Sequence, residues 1–265
     1  VAWYNGHPDY EHLEVPLDAT TAVVIGVGNV AIDVTRVLAK SVEELSTTDM
    51  ADHALEHLLS SKIEEVIIVG RRGPAEAKFT TKELRELGEL LNADIYVDAA
   101  ELVVPDSSRA AIAGDVNAQK NLEVLEGFAQ QEPQGKPRRV RIRFLLSPVE
   151  IQGDERVERV VFERNRLEER GEGWVAAVPT GERESVAAQL VFRSAGYRGA
   201  PLPGVPFDEA AHVIPNAAGR VLEAGEPVPG VYVAGWIKRG PSGVIGTNKA
   251  DAMESVAALL EDLEA

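Results

Sequence analysis

Thr21-Ala22-Val23-Val24-Ile25 is an apolar run that breaks into Gly26-Val27-Gly28-Asn29 and resumes at helical spacing through Val30, Val34, Val37 and Leu38. A strand, a glycine turn and a helix in that order leave a chain few folds to adopt, because the turn must be tight and the helix must lie back on the strand. Gly26 permits the turn, Gly28 lets backbone approach a pyrophosphate, and the small Ala31 lets helix and strand pack closely. The unpaired N–H groups of the first helical turn, around Val27 to Val30, then face the anion. The stretch therefore predicts a Rossmann-like dinucleotide site.

Composition limits what else the chain can be. Of 265 residues, 45% are hydrophobic and 26% charged, enough for one large core or two modest ones and incompatible with general disorder. No apolar run reaches about 18 residues, so no membrane span is expected and a cytoplasmic protein is the default reading. The absence of cysteine excludes disulfides, thiolate metal sites and a redox dithiol, so any electron transfer must run through a bound cofactor. His53 and His57 have i, i+4 spacing, but no third ligand accompanies them, and no metal site is predicted. A net charge of −16 argues against nucleic-acid binding.

The identity of the nucleotide turns on the end of the second strand. An NAD site places an acid there, about 20 residues after the glycines, on the ribose hydroxyl. Asp49 has that spacing, but Ser46-Thr47-Thr48-Asp49 starts a helix more readily than it ends a strand, and Ser41 to Ser61 predicts one or two extra helices. The next strand is Glu65-Val66-Ile67-Ile68-Val69, and it runs into Gly70-Arg71-Arg72-Gly73-Pro74. Two guanidinium forks match the oxygens of a ribose 2′-phosphate, so the pattern favours NADP.

Beyond the arginines, Leu84, Leu87, Leu90 and Leu91 mark a helix, and Thr80 with Glu83 fits a capping box at its start. Ile95-Tyr96-Val97 reads as a strand, and Pro105 to Gln134 as polar, weakly helical surface. Val140 to Leu146, Val149 to Ile151, Val157 to Glu163, Trp174 to Val178 and Gln189 to Phe192 read as an antiparallel β decoration on the first α/β unit. Arg138, Arg139, Arg141 and Arg143 form a dense basic cluster, read either as a solvated strand edge or as a docking patch for an acidic partner. After Pro201-Leu202-Pro203-Gly204, Gly230 to Asn248 reads as a strand entering a glycine loop, and Ala250 to Leu263 as a helix with Ala252, Val256, Leu259 and Leu260 apolar.

Taken together, Trp3-Tyr4-Asn5-Gly6, Gly26 to Val34, Val69 to Pro74, Phe79 to Arg85 and Gly235 to Ile245 resemble the adrenodoxin-reductase-like ferredoxin–NADP reductases, flavoproteins with two dinucleotide-binding folds. The resemblance implies an α/β fold: a Rossmann-like NADP-binding domain with an antiparallel β insertion over 1–197, and over 198–265 a C-terminal strand-loop-helix piece of an FAD-binding domain. It implies that Gly26, Val27, Gly28, Asn29 and Val30 hold the NADP pyrophosphate and that Arg71 and Arg72 clamp the 2′-phosphate. Glu83 matches an acid near the nicotinamide, Trp236 a residue against the flavin, and Gly243, Val244 and Ile245 backbone contacts to FAD. The implied activity is hydride transfer from NADPH to FAD and one-electron transfer to a ferredoxin-type iron–sulfur protein.

The family's other glycine-rich FAD fold, which precedes a segment like Trp3 to Gly6, has no counterpart before residue 20. The expectation is therefore a reductase fragment that binds NADP weakly and FAD poorly and is inactive alone, with 198–265 poorly ordered, packed on the nucleotide domain or associating between chains. The alternatives are a stand-alone NADP-binding module without catalysis and the small-subunit reductase of amidotransferase synthases. The last is disfavoured because its cysteine-rich stretch is missing.

Overall fold

The computed structural model describes residues 1–171, 175–241, 243 and 245–264, with the side chain of Ile245 outside the description. The chain divides into two compact units, Val1–Ala195 and Gly196–Ala265. In the first, β1 (Thr21–Ile25) leads into α1 (Asn29–Ala39), α2 (Val42–Leu45) and α3 (Asp52–Leu59), then β2 (Glu65–Val69), α4 (Thr81–Gly88) and β3 (Ala93–Val97). There follow α5 (Asp106–Ala111), α6 (Val116–Gln130), β4 (Arg138–Arg143), β5 (Leu146–Gln152), β6 (Arg159–Glu169), β7 (Val175–Ala187) and β8 (Leu190–Arg193).

A five-stranded sheet in the order β3-β4-β2-β1-β8, with every pairing parallel, carries the unit. Its strands are short apolar runs because both faces are covered. On one face Val24, Ile68, Val140 and Ile142 meet Ile32, Phe79, Leu84 and Leu125 from the helical layer. On the other, Val23, Ile67 and Val69 meet Leu146, Val160 and Phe162 of a three-stranded antiparallel sheet, β5-β6-β7. The expected α/β fold with an antiparallel insertion is thus observed as three layers.

Several local expectations are corrected. Val140 to Leu146 is not a decorating antiparallel strand with a charged edge: its core is β4, an interior parallel strand between β2 and β3. Gln189 to Phe192 is likewise parallel, paired with β1. The alternation that suggested a solvated edge arises because Arg139, Arg141 and Arg143 share the face of Glu65, Ile67 and Val69. Arg141 pairs with Glu65 at 2.9 Å, and Arg143 with Glu101 at 2.7 Å and Glu184 at 3.0 Å. Trp174, where the sequence reading began the strand now seen as β7, lies outside the described residues.

Pro105 to Gln134 is not simple surface either, since α6 is a fifteen-residue crossover helix burying Ala118, Leu122, Leu125 and Phe128. Its pattern is blurred by Asn117, exposed but bonded to the start of α4, and by Asn121, which is buried. Asn117 Oδ1 accepts from Thr81 N at 3.0 Å and from Thr81 Oγ1 at 2.9 Å, and the Asn121 amide donates to Phe79 O at 2.8 Å. These bonds replace the predicted capping box: the Thr80 side chain makes no cap bond, and α4 starts under a cap supplied by a distant helix. Leu91 lies past the end of α4 and is exposed. Ser41 to Ser61 does form two helices, and Asp49 sits in an exposed turn between them, not at a strand end.

The second unit has a core of Ile214, Val221 and Val233 under a small antiparallel sheet, β9 (Asn216–Ala217), β10 (Arg220–Glu223) and β11 (Glu226–Tyr232). Of the three outcomes expected for 198–265, poor order is not what is seen, since the segment has a small core and sheet of its own. It ends in a short α7 (Trp236–Arg239) and a twenty-residue α8 (Ile245–Glu264). The buried positions of α8 include Asp251, Ser255 and Ala258, whereas Val256 and Leu260 are exposed, the reverse of the face expected from hydrophobicity. The polar face is buried because Lys238 reaches it: its ammonium lies 3.2 Å from Asp251 Oδ1, 2.6 Å from Glu254 and 3.0 Å from Ser255 Oγ. Asp251 also accepts from Gly235 N. No helix among the described residues is long and apolar enough to cross a membrane.

Two outcomes follow. Asn117→Ala should cost about 1–2 kcal/mol of stability, read by urea unfolding, because the first N–H groups of α4 lose their acceptor. Burial alone would raise the Asp251 carboxyl, but the Gly235 N–H, Lys238 and the charge of Arg239 outweigh it and hold the group below the usual carboxylate range. A carboxylate depressed on folding stabilises above its unfolded value and loses that contribution as pH falls toward its folded one. Stability should therefore decline below about pH 4, and Asp251→Asn, already weakened at neutral pH, should show a flatter acid limb. Urea midpoints across the acid range measure this; an unchanged limb in the variant would assign the dependence elsewhere.

Candidate functional site

The glycine turn sits at the carboxyl end of β1, with β2 on one side and β8 on the other. That is the crevice at which open parallel sheets bind ligands. Gly26 has φ +136°, its N–H donates to Val69 O at 2.9 Å, and a Cβ there would fall 2.0 Å from Ser194 O. No other residue fits. Gly28 differs: its backbone is extended and a Cβ would meet nothing within 4 Å, so its missing side chain opens space toward solvent instead of toward the protein. Gly28 O accepts from Ala31 N at 3.0 Å, leaving the N–H groups of Asn29 and Val30 ahead of the first intrahelical bond.

Val27 and Asn29 fasten this turn to its neighbours. Val27 O accepts from Lys78 N at 2.8 Å, and the Val27 side chain lies over Gly70, where a Cβ would approach it to 2.9 Å. Asn29 Oδ1 accepts from Thr80 N at 2.8 Å, so its amide serves the start of α4 while its own N–H belongs to the helix end. Val30 packs against the helical-layer core.

Arg71 and Arg72 leave the end of β2 directly beside the turn. Gly70 N donates to Arg143 O at 2.9 Å, Leu145 N to Arg72 O at 3.1 Å, and the Asn165 amide to Arg71 O at 2.8 Å. Arg71 is exposed, and neither guanidinium has a partner among the described residues. The contrast is with Arg139, Arg141 and Arg143, each ion-paired. Two unpaired cations at one strand end are unexpected in a chain with 43 acidic residues and 27 basic ones.

Glu83 lies on the first turn of α4, where Arg36 of α1 gathers three carboxylates: Asp33 at 2.5 Å, Glu83 at 2.7 Å, and Glu86. The Glu83 contact is ionic without hydrogen-bond alignment, and Oε2 is otherwise unpartnered. Trp3 packs edge-on against His53 and His57, which accounts for that histidine pair, and no metal-binding cluster occurs among the described residues.

In the second unit Trp236 follows Gly235, is 44% exposed and lies 5.5 Å from the equally exposed Tyr197 at an interplanar angle of 33°. Gly235, Gly240 and Gly243 all have positive φ, and a Cβ at Gly235, Gly240 or Gly246 would meet nothing within 4 Å. Exposed, mutually tilted aromatic rings thus lie next to glycines with open space at Gly235 and Gly240. At Gly243 a Cβ would meet Thr247 Oγ1 at 2.5 Å, while Val244 and the side chain of Ile245 lie outside the described residues.

Sequence reading missed Asn117, Asn121 and Asn165, which hold the backbone around the site. Nothing in their spacing distinguishes them from solvated asparagines, and only the tertiary fold shows which carbonyls and N–H groups need a partner.

No protein-family model matches the chain. The NADPH-ferredoxin reductase FprA of Mycobacterium tuberculosis is 52% identical over 263 residues, 99% of this chain and 57% of that protein. The mitochondrial NADPH:adrenodoxin oxidoreductase of Arabidopsis thaliana is 38% identical over 278 residues, all of this chain and 58% of that protein. The solved structure of Mycobacterium tuberculosis FprA in complex with NADPH superimposes with a TM-score of 0.90 at 52% identity, covering 99% of this chain and 56% of that one. The chain spans a little over half the length of these two relatives. Over that span, the chain is a homologue of the NADPH-ferredoxin reductases of the FprA and adrenodoxin oxidoreductase group, and its fold is theirs.

Proposed function

We propose that the chain carries the NADPH-binding part of a ferredoxin reductase, together with part of the surface that holds FAD. The observation that carries the reading is the pair of guanidinium groups of Arg71 and Arg72, unpaired among the described residues at the end of β2, beside a glycine turn with room for a pyrophosphate. The residues fit NADP. Gly28 gives the diphosphate room to approach, the N–H groups of Asn29 and Val30 at the positive end of α1 meet its charge, and Gly26 and Val27 hold the turn in shape. Arg71 and Arg72 supply the charge and the forked donors for the extra phosphate.

The second unit fits a flat ring system as well. Trp236 offers an exposed indole and Gly243 a positive-φ backbone position, and the resemblance adds Val244 and Ile245, whose backbone would face FAD. When bound, NADPH supplies a hydride and FAD divides the electron pair into single electrons for a ferredoxin-type iron–sulfur partner. What the protein contributes is placement. Glu83, paired with Arg36, would lie near the end of the nucleotide that carries the nicotinamide. The Asp251 contact orients Gly235 and so the start of the loop that bears Trp236.

Titration with NADP and NAD tests the clamp. Wild type should prefer NADP, and Arg71→Ala/Arg72→Ala should weaken NADP by about 100-fold, the equivalent of about 3 kcal/mol for two charge-assisted contacts, with NAD unchanged. Equal affinity for both nucleotides in wild type would refute it. Gly28→Ala should weaken both nucleotides while changing the unfolding free energy by less than about 1 kcal/mol, since the methyl group enters open space in an extended backbone. NADPH-dependent reduction of a dye by the flavin-loaded protein separates the reductase from a nucleotide-binding module without catalysis.

A further inference from the structure

Asn165 is 3% exposed, yet its side chain is fully polar and it lies on β6, in the antiparallel layer, away from the glycine turn. Both protons of its amide nitrogen are used, one on Arg71 O and one on Ser147 Oγ, each at 2.8 Å. Its Oδ1 is buried with no partner among the described residues. An orphaned buried acceptor costs about 1–3 kcal/mol, and a well-packed apolar side chain would avoid that cost if packing alone were at stake. The residue therefore has to be explained by what its donors hold.

They hold the arginine segment through a closed circuit. Asn165 N donates to Leu145 O at 2.7 Å, Leu145 N donates to Arg72 O at 3.1 Å, and the Asn165 amide returns to Arg71 O. Leu145 takes a left-handed conformation, φ 58°, at the corner between β4 and β5, an uncommon state for a leucine that the flanking bonds must sustain. Two consecutive carbonyls, those of Arg71 and Arg72, are thereby fastened to one β-hairpin. Fixing both peptide planes fixes the directions in which two otherwise unpartnered side chains leave the backbone.

We propose that Asn165 is a positioning residue for NADP selectivity, setting the aim of Arg71 and Arg72 without touching the nucleotide, and that this is a task of the antiparallel layer. The inference rests on the clamp reading of the two arginines. A guanidinium that must meet a phosphate bidentately tolerates little angular error, so loosening its backbone lowers affinity for the phosphate and not for the rest of the nucleotide.

The test uses 2′,5′-ADP and 5′-AMP, which differ only in the 2′-phosphate, titrated calorimetrically into wild type, Asn165→Ala and Arg71→Ala/Arg72→Ala. Asn165→Ala should bind 2′,5′-ADP about tenfold more weakly and 5′-AMP unchanged. Placed on the arginine double variant, Asn165→Ala should add nothing. Equal loss for both ligands, or no loss, while the arginine variant still discriminates between them, would overturn the positioning role alone. An arginine variant that binds both ligands as wild type does would overturn the clamp and the inference with it. If Asn165→Ala does not fold, Ser147→Ala decides: by releasing one anchor of the same amide it should weaken 2′,5′-ADP about threefold with 5′-AMP unchanged, and indifference to it would overturn the proposal.

Discussion

The contact on which the structure depends is the approach of the backbone after β8 to Gly26, where a Cβ would fall 2.0 Å from Ser194 O. Ser194 N donates to Ile25 O at 2.7 Å, so β8 ends against the point at which β1 turns. This closes the crevice on one side, as β2 and the Gly26 to Val69 bond do on the other. With β1 held between two parallel neighbours the turn has one available path, and α1 starts with its free N–H groups facing the crevice. A side chain at Gly26 would force β8 away, and the helix end would lose its aim. Gly70 repeats the requirement one strand over, since Val27 closes on it. The two glycines make strand ends meet, whereas Gly28 keeps space open at the turn.

Much of this was legible in the sequence because it rests on local chemistry. The run from Thr21 to Ala31 states strand, turn and helix through apolar periodicity and glycine placement, and the structure has those elements there. The arginines at the end of β2 were legible for the same reason, once Ser41 to Ser61 was seen to be helical and Asp49 to be off the strand. What could not be read is what long-range pairing decides. β4 looks like an exposed edge because every second residue is arginine, and it becomes an interior strand only because Glu65, Glu101 and Glu184, distant in sequence, meet those arginines. Likewise Thr80 and Glu83 satisfy the local pattern of a capping box, but Asn117 occupies the donor at Thr81, while Glu83 turns to Arg36. Local rules propose a partner; packing decides between that partner and a better one.

The C-terminal unit shows the same competition with the opposite sign. The sequence of α8 puts Val256 and Leu260 on an apolar stripe, yet the face that is buried carries Asp251 and Ser255. Lys238 explains the inversion. It comes from the turn after Trp236, too short a piece to bring apolar bulk, and it can be covered only by groups that neutralise and hydrogen-bond it. The buried ion pair contributes less through net stability than through specificity, because a lysine that needs three partners admits one register of helix against loop. That register places Gly235, and with it Trp236.

Charge pairing separates structural arginines from binding ones throughout the first unit. Arg36 joins α1 to α4, Arg141 ties β4 to β2, and Arg143 and Arg164 join the parallel sheet to the antiparallel layer through Glu101 and Glu184. Arg71 and Arg72 have carboxylates to spare in so acidic a chain and are paired with none among the described residues. Their backbone, by contrast, is held at both carbonyls. A guanidinium kept for an incoming anion needs both conditions: an internal carboxylate would compete with the ligand, and a slack backbone would cost ordering entropy on binding. The antiparallel layer meets the second condition without violating the first, since what it presents to the arginine loop is the N–H of Leu145 and the amide of Asn165, neutral donors that bind the main chain and leave the charges free.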